Sequence, residues 1–175
     1  PTKKVKEKCE RLLDYVATYP NPIVRFHASD MFLEIESDAA YLPKARSRAA
    51  GFFYLTNKPK TTNHPTINGA ILIECTTLRH VVSSAAEAEV GALFHNARLA
   101  LPIRHPLTSI GDPQPTTKIV TDNSTARSFI YDNINQKRSK SWGMRYYWLR
   151  DKTTQKQFLI TWAAGKTNKA DYYTK

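Results

Sequence analysis

The chain has 175 residues, with 26 Lys and Arg against 15 Asp and Glu and a formal net charge of +11. A hydrophobic content of 41% suffices for a buried core, and no apolar run approaches the ~18 residues of a membrane span. The length predicts one domain, or one domain with an arm, and the basic balance points to a polyanionic partner. The start, Pro1-Thr2-Lys3-Lys4-Val5-Lys6, lacks the apolar stretch of a secretory leader. Cys9 and Cys75 form no CxxC pair and have no His at zinc spacing. They are expected to be buried or idle thiols in a reducing compartment.

Residues 3 to 18 predict an amphipathic helix, with Val5, Cys9, Leu12, Leu13 and Val16 at helical spacing. Pro20 and Pro22 end it, and Ile23 to Phe26 is extended. Residues 1–30 therefore form a helical arm or connection segment, expected to pack on a body at 31–175. Strands are predicted at Met31–Ala40, Ala49–Thr56 and Gly69–Cys75, with a polar loop from Asn57 to Pro65. Ser84 to Leu101 is a helix carrying the stripe Val90, Leu93, Phe94, Ala97, Leu101, and Pro102 is its expected stop. Gly111 to Pro115 is a loop. There follow a strand at Lys118–Thr121, helices at Thr125–Asn133 and Met144–Lys152, a strand at Gln157–Trp162 and a final helix from Thr167 to Tyr173. The order βββ-α-β-α-α-β-α fits an α/β fold, a mixed sheet flanked by helices.

Four carboxylates stand where a charge is out of place. Asp38 lies in the strand Ile35-Glu36-Ser37-Asp38-Ala39, but the period of two sets Glu34 and Glu36 on the same side, facing solvent or the other sheet face. In the long helix, Ser84-Ala85-Ala86-Glu87 fits a capping box, which gives Glu87 a structural task. Glu89 has none: it sits one turn before Leu93 on the flank of the buried stripe, where an uncompensated carboxylate costs several kcal/mol. A salt bridge to a nearby Lys or Arg would also satisfy it. Asp122 follows the strand Lys118–Thr121, at a place where α/β folds set reactive groups; N-capping the next helix is the alternative. Asp171 opens the last helix, where a helix-dipole role is available. As a set, carboxylates from separate elements bind hard cations such as Mg²⁺ or Mn²⁺. Two such ions about 4 Å apart hydrolyse phosphodiesters.

The helix Ser83-Ser84-Ala85-Ala86-Glu87-Ala88-Glu89-Val90-Gly91-Ala92-Leu93 resembles the S-S-x-E-A-E-Y-x-A-L helix of ribonuclease H domains in copia-type retrotransposon polyproteins. Thr121-Asp122-Asn123-Ser124-Thr125-Ala126 is similar to their D-N-x-S/T-A block, and Ile35-Glu36-Ser37-Asp38-Ala39 to their first-acid motif. Lys137-Arg138-Ser139-Lys140 with Met144 to Asp151 resembles their R-S-K…R-Y-H-x-I-R-D block, and Asn168-Lys169-Ala170-Asp171-Tyr172-Tyr173-Thr174-Lys175 their N-x-A-D-x-x-T-K block. The resemblance runs from about residue 31 to 175. It implies a ribonuclease H-like fold with a five-stranded mixed sheet. It implies cleavage of the RNA strand of RNA–DNA hybrids by two divalent ions, Mg²⁺ or Mn²⁺, as part of reverse transcription. Asp38, Glu89, Asp122 and Asp171 become the catalytic, metal-holding set, a reverse-transcriptase domain of the same polyprotein the partner, and the cytoplasm (in particles) or the nucleus the location. The loop Trp162-Ala163-Ala164-Gly165-Lys166 lacks the histidine of cellular ribonucleases H.

Between Lys137 and Lys152 six basic residues and one acid are interleaved with aromatic rings. Lys137, Arg138, Lys140 and Arg145 are candidate phosphate contacts, as are Lys44, Arg46 and Arg48 after the first strand. Asn123 is a candidate for a 2′-hydroxyl. A ribonuclease H-like module that only binds nucleic acid or a reverse-transcriptase partner is the alternative function. An integrase core is excluded by order, since those place Glu last and Glu89 comes second.

Overall fold

The computed structural model describes residues 2–42, 46–57, 68–131 and 140–175. Its elements run α1 (Lys3–Thr18), β1 (Phe32–Ala40), β2 (Arg48–Thr56), β3 (Ala70–Thr77), α2 (Ala85–Ser109), β4 (Thr117–Thr121), α3 (Ser124–Tyr131), α4 (Lys140–Thr154), β5 (Phe158–Trp162), a 3₁₀ turn (Gly165–Thr167) and α5 (Asp171–Thr174). One five-stranded sheet holds them in the order β3-β2-β1-β4-β5. β1, β2 and β3 form an antiparallel meander, while β4 and β5 join on the other side of β1 in parallel. The predicted α/β class, the mixed sheet and its flanking helices are all present. Of the predicted loop from Asn57 to Pro65, residues 58–65 lie outside the described residues.

Alternation along β1 splits the sheet into two faces. Leu33, Ile35 and Ser37 point to the α2 side, where Leu33, Ile35, Phe53, Ile119, Phe158 and Ile160 pack on Val90, Leu93, Ala97 and Ala100 of α2, Ala126 and Ile130 of α3 and Leu149 of α4. Inside this apolar layer Asn96 and Ser37 are fully buried polar residues. Asn96 of α2 donates through Nδ2 to Ser37 Oγ at 2.9 Å and to the Ala50 carbonyl at 2.8 Å. That bond locks α2 against β1 and β2 near the end of β1 that carries Asp38. It requires a glycine at position 51, because a Cβ there would stand 2.4 Å from Asn96 Oδ1.

Four expectations are corrected or decided. α2 does not stop at Pro102 but runs on through Pro102 and Pro106 to Ser109. The two prolines are four residues apart on the exposed side, so the carbonyls they leave free at Arg98 and Pro102 reach water, while Ile103 and Leu107 keep packing inward. Arg104 ties this extension to the β4 side through the carbonyls of Gln114 and Pro115. Second, of the two placements open to Glu34 and Glu36, solvent or the other sheet face, they take the sheet face away from α2. They are 4% and 6% exposed; Glu34 accepts from Tyr54 Oη at 3.0 Å and Glu36 from the Lys169 N–H. Burial is the main reason both carboxyls lie above their usual range. Third, α1 is present as predicted but buries no residue. Contact with the body comes further on, where the Arg25 carbonyl accepts from the Gly69 N–H at 3.0 Å, His27 N–H donates to Asn68 Oδ1 and Asn68 Nδ2 to the His27 carbonyl, the last two at 2.8 Å. Fourth, both cysteines are exposed free thiols, not buried ones.

Gly51→Ala should destabilise the fold by about 1–3 kcal/mol, the usual cost of overpacking, and urea titration of the two proteins measures it. Wild-type stability in the variant would remove Asn96 as the lock between α2 and the sheet.

Candidate active site

β1 and β4 run parallel, so their C-terminal ends lie side by side, the place where α/β sheets present reactive groups. Asp38 comes from the end of β1, and Asp122 directly follows β4. Glu89 enters from the first turns of α2, which crosses β1. One carboxylate oxygen from each of the three falls within 4.8 Å of the other two. Asp38 and Glu89 are buried and Asp122 is half-buried.

Neighbours hold each acid. Glu89 Oε1 accepts from the Ala39 N–H at 3.2 Å, and Oε2 accepts from Thr121 Oγ1 at 3.3 Å. Asp38 accepts from Thr174 Oγ1 in α5. Asp122 is framed by the β5 exit: Trp162 Nε1 donates to its carbonyl at 2.8 Å, and a Cβ on Gly165 would come within 2.5 Å of its Oδ2. The glycine is therefore a requirement of the carboxylate's position.

The charges repel and are poorly hydrated. Glu89 is pushed up to about 8, by burial first and then by the charges of Asp38 and Asp122. Burial also raises Asp38, reinforced by Asp122 and Asp171, and raises Asp122, reinforced by Asp171. A divalent cation would reverse each of these penalties. Three hard oxygen donors from rigid elements suit such an ion and offer nothing to a soft one.

Asp171 is close enough to act on Asp38 and Asp122 but stands outside the three-carboxylate group, with its carboxylate paired to Lys175. Its backbone is well tethered. Asn168 Nδ2 donates to the Ser37 carbonyl at 3.0 Å, and Asn168 Oδ1 accepts from the Ala170 N–H at 3.0 Å. Together with Thr174, these bonds fasten α5 to β1.

The competing structural roles are resolved. Ser84 caps α2, accepting from the Glu87 N–H at 3.2 Å, and Glu87 reaches back to the N–H and hydroxyl of Ser83, one residue earlier than a standard capping box, both at 2.6 Å. Asn123, not Asp122, caps α3, its Oδ1 accepting from the Ala126 N–H at 2.9 Å. This frees Asp122 and engages the oxygen of the residue expected to read a 2′-hydroxyl. Arg46 donates to the Arg79 carbonyl at 2.8 Å, Arg48 opens β2, and Arg145 lies over the Phe94 ring at 5.9 Å. Lys44, Lys137 and Arg138 lie outside the described residues, as does the side chain of Lys140. Sequence reasoning missed Thr121, Thr174, Trp162 and Gly165. Of these, Thr121 and Thr174 stood in motif blocks without a role of their own, and the glycine one loop before the last acid carried a local signal.

No protein-family model matches the chain, and no curated protein matches its sequence. Solved structures do match in shape. A ribonuclease H1 isolated from compost by a metagenomic approach superposes with a TM-score of 0.58 at 10% identity, covering 82% of this chain and 92% of its own. The fold is ribonuclease H-like. The N-terminal ribonuclease H domain of a Mycobacterium tuberculosis protein gives 0.52 at 11% identity over 82% of this chain and 91% of that one. The prototype foamy virus protease-reverse transcriptase gives 0.51 at 14% identity, with 87% of this chain matched to 21% of the viral one. Ribonuclease H-like neighbours thus include a domain within a reverse transcriptase. The four acids sit in this fold as two strand-end aspartates, a helix glutamate and an aspartate opening the last helix.

The raised carboxyls have a stability consequence with a definite sign. A group whose folded pKa exceeds its unfolded value favours the folded state when protonated. Its contribution is complete below about pH 4.5 and is lost as pH rises through the folded value. The metal-free protein should therefore lose melting temperature between about pH 5 and 8, and Glu89→Gln should flatten the upper part of that fall. A wild-type slope in the variant would contradict the assignment. Gly165→Ala should weaken Mn²⁺ binding, measured by calorimetry, by about 10–100-fold, the loss typical of a disturbed supporting residue.

Proposed function

We propose that this chain is a ribonuclease H, a metal-dependent endonuclease that hydrolyses the RNA strand of RNA–DNA hybrids. Its carrying observation is the meeting of Asp38, Glu89 and Asp122 from β1, α2 and β4 within 4.8 Å in a ribonuclease H-like fold. The compost enzyme that shares this fold has a structure in complex with an RNA/DNA hybrid, and the basic excess of this chain suits the same class of ligand.

Asp38, Glu89 and Asp122 would hold two divalent ions, Mg²⁺ or Mn²⁺, with Asp171 completing the set from the edge. Such ions supply an activated water nucleophile and stabilise the leaving oxygen. The residues of the chain provide the rest. Glu89, pushed up to about 8, sheds its proton to serve as a ligand. Ala39 N–H and Thr121 fix its carboxylate, Thr174 fixes that of Asp38, and Lys175 pairs with Asp171. The turn at Gly165–Thr167 passes against Asp122 with Lys166 as its basic residue and no imidazole.

The motifs from Ile35 to Lys175 favour a copia-type retrotransposon polyprotein, in which this domain works beside a reverse-transcriptase domain in cytoplasmic particles or the nucleus. The boundary falls near residue 30: residues 31–175 form the nuclease, and 1–30 a connecting arm whose helix buries nothing on the body. Among the described residues no helix is long and apolar enough to cross a membrane.

A labelled RNA–DNA hybrid incubated with the chain and Mg²⁺ or Mn²⁺ should be cut in its RNA strand only, and a chelator should stop the reaction. Asp122→Asn should lose more than the ~10–100-fold typical of an outer-shell residue. Cleavage that survives this substitution would refute the site, and hybrid binding without cleavage would favour the non-catalytic module.

A further inference from the structure

A groove of about 400 Å³ runs between α3 and the outer strand β5, lined by Ser124, Arg127, Ser128, Thr161 and Trp162. None of these residues belongs to the carboxylate cluster, yet the groove adjoins it. Ser124 is two residues beyond Asp122, and Trp162 is bonded to the Asp122 carbonyl at 2.8 Å.

Its lining is unusual in three respects. Trp162 is 52% exposed, although its indole N–H is satisfied and its orientation thereby fixed. A large ring held still and left in water is characteristic of a binding surface. Arg127 is exposed and lies over the Tyr131 ring at 5.3 Å, with no ion pair among the described residues. Thr161 Oγ1 is buried and has no hydrogen-bond partner among the described residues, a cost that a ligand atom would remove. No carboxylate is among the described residues that line the groove.

A fixed indole, a guanidinium outside any described ion pair and three hydroxyls form the donor set for a nucleotide. The ring packs on a sugar, the phosphate meets the guanidinium, and sugar or phosphate oxygens meet the hydroxyls. An extended peptide pairing along β5 is disfavoured, because the Tyr131 hydroxyl already accepts the Ile160 N–H at 2.9 Å. We propose that this groove holds a nucleotide of the cleaved strand, next to the one whose phosphate lies at Asp38, Glu89 and Asp122. The inference rests on the hybrid-cleaving function proposed above. It assigns Arg127 and Trp162 to strand positioning beside the cut.

Binding of a fluorescent RNA–DNA hybrid to the full chain, measured by anisotropy in chelator over a range of salt, tests the groove. Trp162→Leu should weaken binding roughly tenfold, the upper end of what one lost aromatic packing surface is worth, and Trp162→Phe should recover most of it. Arg127→Gln should lower the slope of log Kd against log salt by about 1, as when a single phosphate is no longer neutralised. In cleavage assays with Mg²⁺ the loss should fall more on KM than on kcat, whereas a mere disturbance of Asp122 would fall on kcat. Thermal melts establish that each variant is folded. A wild type that binds hybrid, with folded variants matching it in affinity and salt slope, overturns the groove alone. A wild type that ignores hybrid overturns the groove and the hydrolase reading together.

Discussion

Two buried acids and a half-buried one, with oxygens within 4.8 Å of each other, cannot all stay ionised without help. Burial removes hydration from each, and each charge raises the others, so that Glu89 is pushed up to about 8. Left to itself such a group would open or protonate. The surrounding structure holds it closed from several directions. Ala39 N–H and Thr121 fasten Glu89, Thr174 fastens Asp38, and the Asn168 bond to Ser37 brings the last helix onto β1. Asn96 ties α2 to β1 and β2 near the end of β1 that carries Asp38. The cluster is preorganised by bonds to backbone and short side chains, which lose little entropy when fixed.

Glu34 and Glu36, on the same face of β1, provide a contrast. They too are buried and raised, but each has a neutral donor of its own, Tyr54 for one and the Lys169 N–H for the other. Neither belongs to a group of three or more metal-ligating side chains among the described residues. Along one strand, the same residue type in the same alternation thus serves structure at 34 and 36 and, with Asp38, the site. The difference lies in what arrives from other elements: a phenol and a loop at one end, two further carboxylates at the other.

Much of this was legible in sequence. Period-two runs and the α2 stripe marked the elements to within a few residues, apart from the far end of α2 and the start of the short last helix. The capping box at Ser84 separated Glu87 from Glu89 by residue type and spacing alone. The misreadings share one cause, which is that local signals are silent about what lies across the fold. Pro102 reads as a helix stop because sequence does not say which side of the helix faces water. Glu34 and Glu36 stay undecided between solvent and the other sheet face because their donors are 20 and 133 residues away. α1 reads as packed because an amphipathic stripe does not state whether a partner is present. Trp162 gave no signal and Thr174 stood in a motif block with no role attached, since their significance is their distance from Asp122 and Asp38.

What the sequence alone determined is the set of acids and their order, Asp38, Glu89, Asp122 and Asp171, together with the alternation that makes β1 and β4 strands and the periodicity that makes α2 a helix. These are local properties, set by residue type and spacing. Tertiary structure decided which acids meet. Parallel pairing of β1 with β4 brings Asp38 and Asp122 together, the crossing of α2 delivers Glu89, and Asp171 is left at the edge beside Lys175. Convergence over such separations depends on strand register and packing angle, which no single stretch of chain encodes. That is also why the groove beside Trp162 exists only once α3 and β5 stand side by side.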